Sequence, residues 1–470
     1  MFASPASLYK EQLIFVNGLG LLIYIPALTI TNLQIKKTPH KNITITTMLS
    51  NSVLQLATVA ASLLNSVQSA PLTFPLEQRG ISFDYQNEKV RGVNLGGWFV
   101  LEPWITPSIF SDWASSTTVV DEYTYCQTLG KSEASSRLTN HWNTWITQDD
   151  FNQIAAAGLN HVRIPIGYWA VAPLDGDPYV QGQLPILDNA IGWARSAGLK
   201  VMLDLHGAPG SQNGFDNSGR YGPVDWQQGS TVSQTITAIQ NLAQRYSSDT
   251  DVVSTIELLN EPLGSSLSLS GINTFYQSGY QTVTSASSNY ATTIHDAFQD
   301  FSTYWNGKFN AASGDSNVIL DTHQYQVFSP SQVAMSPSAH VSAACALGPQ
   351  LAGTDKWTIV GEWTGAQTDC AKWLNGLGKG ARYDGTFPDS SYVGSCAGKD
   401  VGTVSGLSTD DQNNIASFID AQLDAYEQHT GWIFWAWKTE SAPEWHMQDL
   451  LAAGLFPQPL TSRKYPRQCS

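Results

Sequence analysis

The sequence has little charge and few basic residues. Charged residues make up only 13% of the 470-residue chain, and 24 Lys plus Arg stand against 39 Asp plus Glu, a formal net charge of -15. This excess of acid disfavours nucleic acid or an anionic membrane as a partner. Hydrophobic residues reach 42%, so the chain is globular rather than disordered. A neutral partner fits this composition best, and the 16 Trp and 18 Tyr suit stacking on sugar rings.

Motifs for metals and nucleotides are also missing. None of the five cysteines forms a CxxC pair, which argues against a zinc or redox site. No G-x-G-x-x-G opens a helix after a strand, and no P-loop pattern is present. We therefore expect neither a cofactor nor a metal. Four of the five cysteines lie in the C-terminal third, which favours two disulfides in a secreted protein and one odd thiol, with the pairing left open.

The first 79 residues differ from the rest of the chain. Residues 13–30 form an apolar stretch about long enough to cross a bilayer, but Lys36 and Lys37 follow it, which would hold the remainder on the wrong side for secretion. A second apolar stretch begins at Met48 and ends in small residues before Pro71. We expect residues 1–79 to be a leader, either signal plus propeptide or a mis-assigned start, that is absent from a membrane-free mature form.

Apolar strand-like runs alternate with helical patterns from about residue 91. The candidate strands are residues 92–98, 161–166, 200–206, 255–260, 291–296, 318–323, 357–362 and 432–437. Helical spacing lies between them, for example at 186–197 and at 410–428 behind a Ser408/Thr409 cap. Such βαβ units predict an α/β fold, a (β/α)8 barrel forming one domain over 80–470 with long loops at its C-terminal face. A doubly wound sheet is the alternative.

Polar side chains end most of these apolar strands. In a parallel barrel the C-terminal strand ends meet on one face, where polar residues are typical of catalysis. Glu261 and Glu362, which follow strands four and seven, suit glycoside hydrolysis, because that reaction needs one protonated and one ionised carboxyl. We expect Arg163 and the Tyr325 hydroxyl to stabilise the ionised one.

Several motifs resemble a known family. "LLNEP" around Glu261, "IVGEW" around Glu362, "VRIPI" around Arg163, "LDLHGAPGSQNG" with His206 and "DTHQY" resemble glycoside hydrolase family 5. More narrowly, "GVNLGGWFVLEPWITPSIF", "GFDNSG" and "IFWAWKTE" are similar to the secreted fungal exo-β-1,3-glucanases. The resemblance covers residues 80–470 in order and leaves out 1–79.

The resemblance implies a role for each matching residue. It makes Glu261 the acid/base and Glu362 the nucleophile of a retaining reaction, with carboxyls ~5 Å apart. The residues that would support these two are Arg163, His206, Asn260, His323 and Tyr325. The residues that would contact sugars are Glu102 and Asn217 at the terminal glucose, Phe215 and Phe328 as an entrance clamp, and Trp435 as a platform. The implied disulfides are Cys345–Cys469 and Cys370–Cys396, with Cys126 left free.

The sequence therefore predicts a secreted, monomeric glucan exo-1,3-β-glucosidase. Its partner would be a β-glucan polysaccharide or oligosaccharide, from whose non-reducing ends it releases glucose through a covalent glycosyl-enzyme that another sugar can also intercept. An endo-acting relative on β-1,4-glucan, β-mannan or β-1,6-glucan is the alternative enzyme. A catalytically dead wall-binding protein is an alternative of another class, against which the presence of both glutamates argues.

Overall fold

Eight parallel strands close into a barrel in the computed structural model, which describes residues 80–469. Each strand pairs with its neighbours in sequence, and β1 also pairs with β8. The strands are β1 Val90–Asn94, β2 His161–Gly167, β3 Lys200–Gly207, β4 Val253–Glu257, β5 Ala291–His295, β6 Val318–Gln324, β7 Trp357–Trp363 and β8 Gly431–Phe434. The predicted barrel is confirmed and the doubly wound sheet is wrong.

Helices lie between the strands and pack their apolar faces on the barrel. They are α1 Glu122–Thr144, α2 Gln148–Ala156, α3 Tyr168–Val171, α4 Gln183–Ala197, α5 Thr231–Arg245, α6 Leu269–Ala286, α7 Pro330–Val333, α8 Pro337–Ala352, α9 Thr409–Tyr426 and α10 Met447–Ala452. Helix α9 begins as predicted, because the Ser408 side chain accepts from the Asp411 backbone N–H at 3.1 Å. Its apolar positions Ile415, Phe418 and Leu423 are buried.

Side chains of strand β4 point alternately into the barrel and toward the helices, although the hydrophobicity of the sequence does not alternate. Thr255 bonds to the Thr293 hydroxyl at 2.8 Å, and Glu257 reaches Arg163 of β2, so both side chains point into the barrel. Leu258 lies on the other side, against Gly279 of α6. The interior of the barrel is therefore polar here and the helix-facing side apolar, which is why the strand reads as an interrupted apolar run.

Four strands end earlier than predicted, of which β1 stops at Asn94 rather than at residue 98 and β5 at His295 rather than at residue 296. Strand β4 stops at Glu257 rather than at residue 260, although the Asn260 N–H still donates to Leu205 of β3 at 3.0 Å. Strand β8 stops at Phe434 rather than at residue 437, because the Ala436 N–H donates to Trp445 of the following loop instead of to a strand. Beyond β8 the backbone still bonds to both neighbouring strands, since the Trp435 N–H donates to Trp363 of β7 at 2.8 Å and the Trp437 N–H donates to Asn94 of β1 at 2.9 Å.

The predicted irregular segment, residues 376–407, contains only one short 3-10 turn, Val404–Gly406. A disulfide joins Cys370, just before it, to Cys396 within it, and a second joins Cys345 to Cys469. These are the pairs that the resemblance implies, and Cys126 is a buried free thiol.

The described residues all lie in one compact unit, Glu77–Ser470. Within residues 80–469, no helix is both long and apolar enough to cross a bilayer. The predicted leader, with its two apolar stretches, lies outside the described residues and stays a prediction.

Candidate active site

Glu362, in β7, accepts hydrogen bonds from two side chains, one at each carboxylate oxygen. Its Oε1 accepts from Arg163 Nη1 at 2.9 Å, and its Oε2 accepts from the Tyr325 hydroxyl at 2.8 Å. His323 Nδ1 lies 3.3 Å from the same Oε2. The preceding Gly361 is a glycine because a Cβ there would collide with the Asp321 carboxylate, which accepts the Gly361 N–H at 2.7 Å. Strand β7 is thus fixed immediately before its glutamate.

Glu261 lies four residues beyond the end of β4, at a turn with a left-handed backbone, φ 46°. It is buried, with 6% of its surface exposed. Its Oε1 accepts from His323 Nδ1 at 2.8 Å, and its Oε2 accepts from the Asn217 side-chain amide at 3.2 Å. Glu261 therefore shares one donor with Glu362 and takes the other from a loop.

The shared imidazole sets the separation of the two glutamates. Because both lie within contact of His323 Nδ1, the Glu261 and Glu362 oxygens that face it are no more than about 6 Å apart. Although burial opposes it, the charges of Glu362 and Asp321 and the hydrogen bond to Glu261 raise the pKa of His323 well above its ordinary value. The two carboxyls on either side of this imidazole thus favour its protonated form.

The expected roles require Glu261 to be protonated and Glu362 to be ionised, but the pKa shifts of the two groups run in the opposite direction. Burial raises the pKa of Glu362 to about 7, with the charges of His323 and Arg163 opposing and that of Glu261 adding to the rise. Burial also acts on Glu261, but the hydrogen bond and charge of His323 outweigh it and lower the pKa of Glu261. The cause is geometric, because His323 Nδ1 is closer to Glu261 than to Glu362.

Arg163 lies beneath the pair, completely buried, and all three of its guanidinium nitrogens have partners. Besides Glu362, Nη1 donates to Asn94 at 3.0 Å, Nη2 donates to Asn260 at 2.8 Å, and Nε donates to Glu257 at 2.8 Å. Nη2 also lies 3.0 Å from Asp204. The predicted residues Asn260 and Arg163 are thus brought together. The sequence assigned no role to Glu257, whose only signal was a carboxylate inside an apolar strand.

Asn260 keeps one group free for a ligand. Its side-chain oxygen is taken by Arg163, but its buried Nδ2 has no hydrogen-bond partner within residues 80–469. Buried amide groups are normally satisfied, and one that is not can bind a substrate.

His206 and Trp435 stack beside the carboxyls. The two rings are nearly parallel, 8° apart, with centroids 5.6 Å from each other. His206 Nδ1 bonds to Asp204 at 2.6 Å, which fixes the ring. Burial, with the Arg163 charge, lowers the pKa of His206 to about 3, so the imidazole is neutral near pH 7. Trp435 is 3% exposed, so it packs as closely as a core residue while lying beside the predicted catalytic groups.

The remaining predicted sugar contacts lie on loops. Glu102 is buried and accepts from Trp104 Nε1 at 2.9 Å; burial and then the charge of Asp216 raise its pKa well above the ordinary value. Phe215 and Phe328 are 41% and 43% exposed, far more than the core aromatics. The Phe328 ring stands edge-on against Tyr325, with centroids 5.4 Å apart.

Two sets of side chains have the spacing of a metal site. Glu261, His295 and His323 form one, and Glu257, Asp321 and His323 form the other, each with ligand atoms within 4.8 Å of one another. His323 belongs to both sets and already bonds to Glu261, while His295 Nδ1 accepts from the Ala297 N–H at 3.0 Å. The expectation of no metal and no cofactor stays a prediction.

An eight-stranded parallel barrel with paired buried acids at its C-terminal strand ends has the architecture of a barrel glycosidase. Comparisons with known proteins agree. The family model described as cellulase (glycosyl hydrolase family 5) matches residues 126–381. The chain is 63% identical over 406 residues to the glucan 1,3-beta-glucosidase of Blumeria graminis, covering 86% of this chain and 95% of that one. It is 56% identical over 385 residues to the probable glucan 1,3-beta-glucosidase A of Emericella nidulans, covering 82% and 93%.

This chain therefore belongs to glycosyl hydrolase family 5 and is a glycosidase. Among solved structures, the rutinosidase from Aspergillus niger superposes with a TM-score of 0.62 at 20% identity, over 79% of this chain and 99% of that one. At that identity the likeness supports the fold alone.

Proposed function

We propose that this glycosidase releases glucose from the non-reducing ends of β-1,3-glucan with retention of configuration. The separation of the two glutamates carries the proposal. Retaining enzymes place their carboxyls roughly 5–5.5 Å apart and inverting ones roughly 6.5–9.5 Å, and the limit of about 6 Å between the facing oxygens favours the first class. The printed names of the relatives from Blumeria graminis and Emericella nidulans support the linkage.

In the first step, Glu362 attacks the anomeric carbon while Glu261 gives its proton to the glycosidic oxygen. The bond between the anomeric carbon and the glycosidic oxygen breaks. The shortened glucan leaves with that proton, and glucose stays esterified to Glu362. Arg163 and Tyr325 hold the attacking carboxylate in place. The free Nδ2 of Asn260 is positioned to donate to the 2-hydroxyl of the sugar.

In the second step, Glu261 takes a proton from water as the water attacks the anomeric carbon, and the ester bond to Glu362 breaks. Glucose leaves with its original β configuration. A sugar hydroxyl in place of water gives transglycosylation by the same exchange of bonds.

Substrate binding should favour a protonated Glu261 and an ionised Glu362, as the proposed roles require. A sugar against Glu261 removes water from that carboxyl, which favours its neutral form and raises its pKa. Glu362 keeps the fixed charge and hydrogen bonds of Arg163 and Tyr325, which favour its ionised form.

Exo action is proposed over endo action because loop residues surround the pair. Glu102 is buried close enough to Glu261 and Glu362 for their charges to raise its pKa, and Asn217 bonds to Glu261 itself. Groups so near the catalytic carboxyls leave room for a chain end rather than for a chain that passes through. An endo-acting β-glucanase or β-mannanase is the alternative.

The test is product analysis on laminarin, with β-1,4-glucan, β-1,6-glucan and β-mannan as comparison substrates, followed by chromatography and proton NMR. We expect glucose from laminarin as the earliest product, released first as the β anomer. Oligosaccharides without early glucose would reject exo action, and α-glucose at early times would reject the retaining mechanism.

We also propose that the enzyme is a secreted monomer that has lost residues 1–79. The two disulfides support an oxidising compartment. N-terminal sequencing of the protein recovered from culture medium tests the leader, and a mature chain that starts before Leu49 would contradict its removal.

A further inference from the structure

Glu257 is buried beneath the catalytic pair yet contacts neither glutamate of it. It is 0% exposed, and its Oε2 accepts the Arg163 Nε–H at 2.8 Å. Its second oxygen, Oε1, has no hydrogen-bond partner within the described part of the chain. A buried carboxyl costs free energy unless it is paired, so its one contact needs an explanation.

The contact falls on the nitrogen that sets the direction of the guanidinium. A guanidinium is a rigid planar fork, so its Nε–H and its two Nη groups turn together. Fixing the Nε–H therefore fixes where both Nη groups point. In this structure one Nη meets Glu362 at 2.9 Å and the other meets Asn260 at 2.8 Å.

We propose that Glu257 is a positioning residue for the hydrolytic reaction, which acts by orienting Arg163 toward Glu362 and Asn260 at the same time. The inference rests on the proposed function, in which those two residues attack the sugar and hold its 2-hydroxyl. Glu257 itself touches no substrate.

The other partners of Arg163 do not replace Glu257. Asp204 approaches Nη2, but the same Asp204 oxygen also bonds to His206 at 2.6 Å. Asn94 bonds to Nη1, which Glu362 also uses. Glu257 alone meets Nε, and it stands on the strand whose extension delivers Asn260 and Glu261. Strand β4 and its extension thus carry Glu257, which holds Arg163, together with Asn260 and Glu261.

The charged and titratable groups around Glu257 come from several elements. They are Arg163 of β2, Asp204 of β3, Tyr276 of α6, and Asp321 and His323 of β6. Burial and then the charges of the two aspartates raise the pKa of Glu257 to about 8, while Arg163 and His323 oppose the rise. Because the group is then mostly neutral near pH 7, a glutamine is its closest mimic.

The test compares Glu257→Leu, Glu257→Gln and Glu257→Asp with the wild type in the full secreted chain. Leucine removes the acceptor for Nε, aspartate keeps a carboxyl but is one methylene too short, and glutamine keeps an acceptor of the same length. Kinetics on laminarin and on 4-nitrophenyl β-glucoside are measured across pH, with thermal unfolding as a check of folding. Asp420→Asn in α9 is the control, since that buried carboxyl accepts only from the Tyr465 segment.

We expect leucine and aspartate to lower kcat on the order of 100-fold with a smaller change in KM, as small misplacements of reacting groups do. The acid limb of the pH profile should move to higher pH, because the Arg163 charge that lowers the pKa of Glu362 is no longer held against it. Glu257→Gln should keep both the rate and the pH profile of the wild type. Aspartate carries the test if the leucine variant does not fold.

Three results would overturn the inference. They are wild-type kinetics in a folded leucine or aspartate variant, a loss in glutamine equal to that in leucine, or a loss of rate with an unmoved acid limb. A wild-type chain inactive on every glucan would instead reject the proposed function, and with it the reaction that Glu257 serves.

Discussion

The bottom and the entrance of the candidate site are built in different ways. The site floor, defined as Asn94, Arg163, Asp204, Glu257 and Asn260, is wholly buried and lies in or just beyond strands. The site rim, defined as Glu102, Phe215, Asn217 and Phe328, lies on loops and on the short 3-10 helix Asp216–Ser218, and reaches 43% exposure at Phe328. The floor is held by mutual hydrogen bonds, whereas the two rim phenylalanines project toward solvent.

Under the proposed function, this difference separates residues that act on the reaction from residues that bind the substrate. A fully buried network leaves each member little freedom, so a change in one is transmitted to the catalytic carboxylate above it. An exposed aromatic ring has few constraints and contributes only the surface that a sugar covers. We therefore expect changes at or just above the floor to act on rate, and changes at the rim to act on affinity.

The largest effect should follow from the nucleophile that the floor supports. Glu362→Gln should lower kcat/KM on laminarin by at least about 10⁴-fold, because the amide cannot form the ester, although its one oxygen can still accept from Arg163 or from Tyr325. Glucose release measures this. Glu133→Gln, at an exposed carboxyl paired with Arg137, is the matched control and should behave as wild type. Hydrolysis within tenfold of wild type would remove Glu362 from the reaction.

A smaller and more selective effect should follow at Glu261, which accepts one hydrogen bond from His323 and one from Asn217 of the rim. Glu261→Ala should cost about 10²–10⁴-fold on laminarin, whose leaving oxygen needs a proton. On 2,4-dinitrophenyl β-glucoside, whose leaving group needs none, formation of the glycosyl-enzyme should be nearly unimpaired. Pre-steady-state release of dinitrophenol measures that step. Equal losses on both substrates would contradict an acid role.

The sequence predicts the fold well because each strand is an apolar run that ends in polar residues. It fails at strand ends, since the last residues of predicted strands four and eight have strand-like composition and keep single bonds to neighbouring strands, yet do not continue the regular pairing. Composition does not record which backbone group each N–H meets. Tertiary contacts decided those boundaries.

Within the candidate site, the sequence identified the residues that the structure places around Glu261 and Glu362, including Arg163, His323 and Tyr325. It missed Glu257 because a lone acid in an apolar run does not reveal the side of the strand that it faces. It also expected Arg163 to leave Glu362 as the more acidic group. The position of His323, set by folding, reverses that order.

The smallest effect should come from the rim. Phe215→Ala and Phe328→Ala should raise KM for laminari-oligosaccharides by about 2–10-fold, the equivalent of roughly 0.5–1.5 kcal/mol of aromatic contact. Kinetics on 4-nitrophenyl β-glucoside, which presents no second sugar, should barely change. Tyr392→Ala, at an aromatic that is 70% exposed and outside the predicted site, is the control.

The two phenylalanines should differ in one respect. Phe328 packs edge-on against Tyr325, which donates to Glu362, so its removal also loosens a hydrogen bond of the nucleophile. Phe328→Ala should therefore lower kcat slightly on both substrates, while Phe215→Ala should leave kcat unchanged. Equal kcat values for the two variants would mean that the rim does not act on the floor through Tyr325. A large kcat loss in Phe215→Ala would contradict the separation of reaction from recognition.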